Sequence, residues 1–234
     1  MSWKILIVED DPSLLETVVS AIQIAGHEPI TCTDGSEAMA IFESSRPDIV
    51  VLDWQLPGRL GIDLLPEMKQ ARDIPIIMAS AKTDEADVDL ATETLGADDY
   101  IKKSYGPKEL IRKINALLKP QERKGNPHLK LGPIEIDVSA YEVRRNGEKV
   151  QLTPLEFNLL LTIAETPDHT FTREELLKEV WGHKNLNDST DSKNKVDTRL
   201  VNVHIQRLRS KIEENPDDPQ IVTTVRGRGY KAGL

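Results

Sequence analysis

Hydrophobic positions along this chain follow two different rhythms. Between Lys4 and Lys119, short aliphatic runs alternate with stretches of helical period. Ile5–Val8, Pro29–Thr33, Ile49–Leu52, Ile74–Ala79 and Asp99–Ile101 predict strands; Ser13–Ala25, Gly35–Ser44, Gly61–Gln70, Asp84–Leu95 and Pro107–Lys119 predict helices. Such a (βα)5 succession predicts a doubly wound parallel sheet, an α/β fold with helices on both faces. Punctuation agrees with it. Asp11-Pro12-Ser13 and Thr33-Asp34-Gly35 stand where strands hand over to helices, and Gly26 stands where a helix should stop. The run Ile49-Val50-Val51-Leu52 reads as a strand buried on both faces, and it ends abruptly in Asp53.

Beyond Lys119 the rhythm changes. Residues 120–128 hold two prolines, a glycine and no apolar side chain, a linker composition. Leu129–Leu131, Ile134–Asp137, Glu142–Arg145 and Lys149–Leu152 predict short strands around the turns Gly132-Pro133 and Asn146-Gly147. Helices Pro154–Thr166 and Arg173–Trp181 each open on a capping-box pattern, Thr153 to Glu156 and Thr172 to Glu175. A third helix, Val196–Glu214, gathers Val201, Ile205, Leu208 and Ile212 into one stripe at about 100° per residue. Opposite lie Arg199, Val203, Gln206, Arg207 and Ser210, with His204, Arg209 and Lys211 on the flanks. The chain closes with the hairpin Ile221–Val225 and Tyr230–Ala232, whose tip is Arg226-Gly227-Arg228-Gly229.

The helix alone is equally a solvated charged face. Beside a glycine-rich hairpin with two arginines it predicts an α+β winged helix-turn-helix, with the helix in the major groove of DNA and the wing on the backbone or minor groove. Arg207 is then the candidate for reading a guanine and Val203 for touching a thymine methyl. Arg199, Arg209, Arg226 and Arg228 are candidates for phosphates, and His204 and Gln206 complete the DNA-binding set. The expected organisation is a first domain over 1–119, a linker over 120–128 and a second domain over 129–234.

Charge sharpens this division. Residues 1–120 hold 12 Lys and Arg against 21 Asp and Glu, and residues 121–234 hold 18 against 18, which together give the chain's 30, 39 and net −9. All the excess acid is in the first half, whereas the balanced second half gathers positive charge on its third helix and hairpin, as a phosphate-binding surface would. No apolar run approaches the ~20 residues that span a bilayer, and Trp3-Lys4 passes straight into a strand without a cleavage site, so a cytoplasmic protein without a membrane partner is expected. Cys32 stands alone, which suits a small buried hydrophobe better than a redox centre.

Where the first-half strands end, chemistry accumulates. The first ends in Glu9-Asp10-Asp11 and the third in Asp53, on one rim of a parallel sheet. Singly, each acid is as easily a solvated cap. Together they repel one another unless a hard cation sits between them, and a small carboxylate site with open water positions suits Mg²⁺; Glu9, Asp10 and Asp53 would supply oxygens, with the Gln55 backbone carbonyl as a further ligand. The fourth strand ends in Ser80 and the fifth leads into Lys102-Lys103. Metal, hydroxyl and ammonium around a carboxylate nucleophile form a set that moves a phosphoryl group onto aspartate.

These motifs, Ile-Val-Glu9-Asp10-Asp11, Leu52-Asp53-Trp54-Gln55-Leu56-Pro57-Gly58, Ser80-Ala81 and Gly96-Ala97-Asp98-Asp99-Tyr100-Ile101-Lys102-Lys103, resemble the receiver domain of two-component response regulators over residues 3–119. The resemblance implies Asp53 as phosphoacceptor, Glu9 and Asp10 as Mg²⁺ holders, Ser80 as switch hydroxyl, Tyr100 as switch aromatic, Lys103 as the catalytic lysine and a sensor histidine kinase as phosphoryl donor. It also implies a homodimer face on activation, carrying Glu109, Lys113, Asp98 and Asp99. The sequence departs from the family at two places: Lys103-Ser104-Tyr105 replaces the usual Lys-Pro-Phe with its cis bond, and Asp89 takes the place of an arginine of the dimer face.

Residues 129–233 resemble the winged-helix output domain of OmpR/PhoB-type regulators. The resemblance is carried by Leu152-Thr153-Pro154-Leu155-Glu156-Phe157, Val180-Trp181-Gly182, the run from Val201 to Ile212, and Thr224-Val225-Arg226-Gly227-Arg228-Gly229-Tyr230. It implies binding to repeated DNA half-sites, and a loop between the second and third helices that in this family can touch RNA polymerase; here residues 183–195 lengthen it. The function implied is phosphorylation-controlled regulation of transcription, without enzymatic activity beyond phosphorylation and dephosphorylation of Asp53. Two other readings stay open: a constitutive DNA-binding regulator with an atypical receiver, and an aspartyl-phosphate phosphotransferase. The latter predicts a second carboxylate where Gln55 stands.

Overall fold

The computed structural model of the chain describes residues 2–81, 90–118, 128–182 and 193–233. It divides into two units, Met1–Leu118 and Lys119–Leu234, each with its own core.

In the first unit, strands β1 (Lys4–Val8), β2 (Glu28–Cys32), β3 (Ile49–Asp53), β4 (Ile76–Ser80) and β5 (Asp99–Lys102) form a parallel sheet in the order β2-β1-β3-β4-β5. Helices α1 (Pro12–Ile24), α2 (Gly35–Ser45), α3 (Gly61–Ala71) and α4 (Pro107–Leu118) connect or follow the strands. β3 and β4 are buried along their whole length, as continuous aliphatic runs require. Burying each Ile, Leu or Val of the central strands contributes about 1.5–3 kcal/mol against conformational entropy. From β1 the chain winds outward to β2 on one side and β3 on the other, which opens a crevice at the carboxyl ends of β1 and β3. Register keeps the strand ends level: Val8 pairs with Leu52, Asp53 with Ala79 and Ser80 with Lys102.

Asp11, the last of the three acids after β1, is the N-cap of α1. Its Oδ1 accepts from the backbone N–H groups of Ser13 and Leu14 at 2.8 and 3.1 Å, with Pro12 in the first turn, an arrangement that contributes about 1 kcal/mol. Of the predicted helix Asp84–Leu95, only the end is described, and there Leu90–Thr94 forms a π-helical turn; Asp89 lies outside the described residues.

In the second unit, β6 (His128–Leu131), β7 (Ile134–Asp137), β8 (Glu142–Arg145) and β9 (Glu148–Val150) form an antiparallel sheet in chain order. Asn146 and Gly147 both take positive φ, 51° and 86°, as a type I′ hairpin demands. Helices α5 (Pro154–Glu165), α6 (Arg173–Trp181) and α7 (Lys193–Ile212) follow, then the antiparallel pair β10 (Val222–Val225) and β11 (Gly229–Ala232). Both capping boxes are complete, Thr153 with Glu156 and Thr172 with Glu175, and α6 stops at Gly182 in the left-handed region. Phe171 and Tyr230 exchange backbone hydrogen bonds at 2.8 and 2.9 Å, which ties β11 to the segment before α6. A Cβ at Gly229 would stand 1.9 Å from the Phe171 carbonyl oxygen, so no side chain fits there. Residues 120–127 of the expected linker lie outside the described residues and His128 already begins β6; residues 183–192 of the long loop lie outside them too, and α7 starts at Lys193.

Candidate functional site

Because strands of a parallel sheet end level, residues far apart in sequence meet at its rim. Glu9, Asp10 and Asp53 each bring a carboxylate oxygen within 4.8 Å of the others. Glu9 and Asp53 are buried, 3 % and 2 % exposed, while Asp10 is exposed. Lys103, just past β5, donates from Nζ to Glu9 Oε1 at 2.6 Å and to Asp53 Oδ2 at 2.8 Å. The other Asp53 oxygen, Oδ1, accepts from the Gln55 N–H at 3.2 Å. Ser80 is buried at the end of β4, and its carbonyl receives the Lys103 N–H at 2.8 Å.

Burial sets the electrostatics. It pushes the Asp53 carboxyl up from 3.8 to about 6; the Lys103 hydrogen bond opposes this and the negative charge of Glu9 adds to it. Burial would pull Lys103 down, but its hydrogen bonds to Asp53 and Glu9 outweigh that and leave its ammonium above the ordinary lysine value. Tyr105 also belongs to this neighbourhood. Burial, then the charges of Glu9 and Asp53, push its phenol well above the usual tyrosine range. Sequence reading treats Tyr105 only as a departure from the family pattern, although its place two residues past Lys103 was a usable signal. The loop needs no cis bond: none occurs among the described residues, and a turn from the Lys102 carbonyl to the Tyr105 N–H at 2.9 Å carries Lys103 into place. On the opposite side, Gly61 begins α3 so close that a Cβ would lie 1.8 Å from the Asp53 carbonyl oxygen.

The expected dimer-face residues are for the most part turned inward. Lys113 and Asp99 form an ion pair at 2.7 Å with both side chains buried, and Asp99 also accepts from the Tyr100 N–H. Asp98 is paired with Lys69 and accepts from the Ile76 N–H at 2.8 Å. Within this chain Asp98, Asp99 and Lys113 hold β5 to its neighbours, and Glu109 is exposed on α4. Tyr100 is buried beside them on β5.

On α7 the inner face is wider than one stripe. A core-facing helix buries positions i, i+3, i+4, i+7, i+8 and i+11. Counted from Val201, these are His204, Ile205, Leu208, Arg209 and Ile212, and all are buried. His204 packs edge-on against the Trp181 ring with centroids 5.4 Å apart. Arg209 is 4 % exposed and spends its donors on the Val222 carbonyl and the Thr224 hydroxyl. Neither belongs to the outward face, which corrects their assignment to DNA. Gln206 and Ser210 are exposed and Arg199, Val203 and Arg207 half-buried, while Arg226 and Arg228 are exposed on the turn around Gly227, whose φ is 72°. Among the described residues no helix is long and apolar enough to cross a membrane.

An acid and lysine pocket at the switch point of a 2-1-3-4-5 sheet, followed by a winged helix-turn-helix, defines the class of signal-receiving DNA-binding proteins. Residues 5–115 match the response regulator receiver domain, and residues 147–232 match the C-terminal domain of transcriptional regulatory proteins. The chain is 46% identical over 233 residues to the DNA-binding response regulator MtrA of Mycolicibacterium smegmatis, covering 100% of this chain and 98% of that one. It is 39% identical over 234 residues to the probable transcriptional regulator ycf27 of Cyanophora paradoxa, covering 97% and 95%. Among solved structures, the response regulator DrrB, a Thermotoga maritima OmpR/PhoB homolog, aligns over 100% of both chains at 30% identity and a TM-score of 0.50. The chain belongs to the DNA-binding response regulators of the OmpR/PhoB type, phosphorylation-controlled regulators of transcription that work with a sensor kinase and DNA.

Proposed function

We propose that Asp53 is the phosphoacceptor. The observation that carries this is the convergence of Glu9, Asp10 and Asp53 oxygens within 4.8 Å, with Lys103 bridging Glu9 and Asp53. The donor set is all hard oxygen and too acidic to stand without cations, which fits Mg²⁺ held by Glu9, Asp10, Asp53 and the Gln55 carbonyl. When bound, Mg²⁺ neutralises charge on the transferring phosphoryl group. An Asp53 oxygen forms the new O–P bond while the N–P bond of a kinase phosphohistidine breaks. Lys103 already holds Asp53 ionised and in place, and its ammonium meets the charge of the incoming group, as the Ser80 hydroxyl does by hydrogen bonding. Ser80 and then Tyr100 pass the change toward α4.

On the DNA side, Arg207, Val203 and Gln206 read base edges, and Arg199, Arg226 and Arg228 hold phosphates. The active form is a homodimer on repeated half-sites, with Glu109 on its receiver face, and RNA polymerase meets the segment between α6 and α7. The protein works in the cytoplasm. Acetyl phosphate with Mg²⁺ should label the wild type and leave Asp53→Asn unlabelled, as read by intact-protein mass. Full labelling of Asp53→Asn would refute the assignment.

A further inference from the structure

Arg209 sits on the inner side of α7, two residues beyond Arg207, at a position where an aliphatic side chain would normally pack. A buried charge is costly unless its donors are matched. Nε and Nη2 donate to the Val222 carbonyl oxygen at 2.9 and 2.6 Å, and Nη2 also donates to Thr224 Oγ1 at 2.8 Å. Both acceptors belong to β10. The guanidinium also lies 5.6 Å from the ring centre of Tyr230 on β11. The Tyr230 hydroxyl donates to Asn202 Oδ1 at 2.8 Å, which returns the connection to α7, and Arg173 Nε donates to the same oxygen at 2.7 Å. One turn past Arg209, the Glu213 carboxylate accepts the N–H groups of Gln220, Ile221 and Val222 at 2.9, 2.9 and 2.8 Å, where the chain enters β10.

Each strand of the hairpin is thus gripped by side chains on α7 or just past its end: β10 by Arg209 and by Glu213, the residue after the helix, and β11 by Asn202. A rigid forked donor fixes direction as well as distance. The need for it is physical, because a two-stranded hairpin is marginal by itself and would otherwise be ordered at the expense of binding.

We propose that Arg209, with Glu213 and Asn202, is a positioning residue that locks the hairpin in register with α7, so that Arg226 and Arg228 meet DNA at a fixed offset from Arg207 while Arg209 itself touches none. This rests on the reading of Arg226 and Arg228 as DNA contacts.

The test uses the full chain and a duplex enriched from a random pool by the wild-type protein. Arg209→Met keeps the length of the side chain and discards the fork. It should weaken binding roughly tenfold, the same factor as Arg226→Ala with Arg228→Ala, and combining all three should lose less than about twofold more. The salt dependence of binding should fall to that of the hairpin variant and no further. In DNA-free protein, amide exchange at residues 225–229 should quicken in Arg209→Met. Thr224→Val removes one of the three hydrogen bonds and keeps the strand shape; it should move every readout the same way by less, and it serves if Arg209→Met does not fold. Multiplicative losses with a further drop in salt dependence would overturn the proposal, since Arg209 would then contact phosphate directly. Unchanged exchange would overturn it as well. Wild-type affinity in the Arg226→Ala, Arg228→Ala protein would sink the DNA reading of the hairpin and this proposal with it, whereas unchanged exchange sinks this proposal alone.

Discussion

Lys103 and Arg209 are both cations drawn largely out of water, one at the rim of the receiver sheet and one where helix meets hairpin. The oxygens that bind Lys103 belong to carboxylates, which can be protonated, bind a cation or take a phosphoryl group. Arg209 is bound by a backbone carbonyl and a hydroxyl, neutral groups that do not titrate near neutral pH. In the roles proposed for them, the cation that serves chemistry is paired with carboxylates that titrate, and the cation that serves shape is paired with neutral groups that do not.

The largest effect should separate the two sites cleanly. Lys103→Met is expected to slow phosphoryl uptake from acetyl phosphate by about a hundredfold or more, because a preorganised cation is lost from the transferring group. DNA-free stability of the second unit should not move. Arg209→Ala should do the reverse, leaving uptake intact and destabilising the second unit by about 3 kcal/mol, seen as a lower melting transition or faster exchange in β10. If both variants lost uptake equally, the distinction would fail.

A smaller effect concerns pH. Asp53 binds its proton more tightly folded, near 6, than unfolded, near 3.8. Stability of the metal-free protein should therefore fall as pH rises from about 4 to 6, and the penalty should persist above that. Asp53→Asn removes it, so this variant should melt higher than the metal-free wild type at pH 7.5, by an equivalent of about 1–3 kcal/mol, and the advantage should shrink toward pH 4. Adding Mg²⁺ should raise the melting temperature of the wild type and much less that of Asp53→Asn. The smallest expected change is in Arg228→Ala, where an exposed side chain carries little stability. Melting should shift by no more than about 0.5 kcal/mol equivalent, while the slope of binding affinity against salt should fall by about one.

Much of this was legible in the sequence. Aliphatic runs and turn residues located the strands to within a residue or two, because a strand buried on both faces leaves only one kind of pattern. The meeting of Glu9, Asp53 and Lys103 follows from parallel register alone. What sequence missed shares one cause: charge was equated with surface. Asp99 and Lys113 neutralise each other inside the receiver, Asp98 is taken by Lys69, and Arg209 is satisfied by backbone. Periodicity could have flagged Arg209 and His204, since both fall on the inner positions counted from Val201, but their residue types argued the other way. Glu213 gave no signal at all, because a carboxylate that accepts backbone N–H groups looks like any other helix-end acid.

Gly61 gives the proposed phosphorylation site a hidden genetic vulnerability. It carries no chemistry, yet its missing Cβ leaves the only room for the Asp53 carbonyl oxygen, and its N–H donates to the Trp54 carbonyl at 2.9 Å. In a saturation screen for loss of signalling, position 61 should tolerate almost nothing, including alanine, and should cluster with Asp53. A residue invisible to any search for reactive groups would then mark the boundary between sequences that can receive a phosphoryl group and those that cannot.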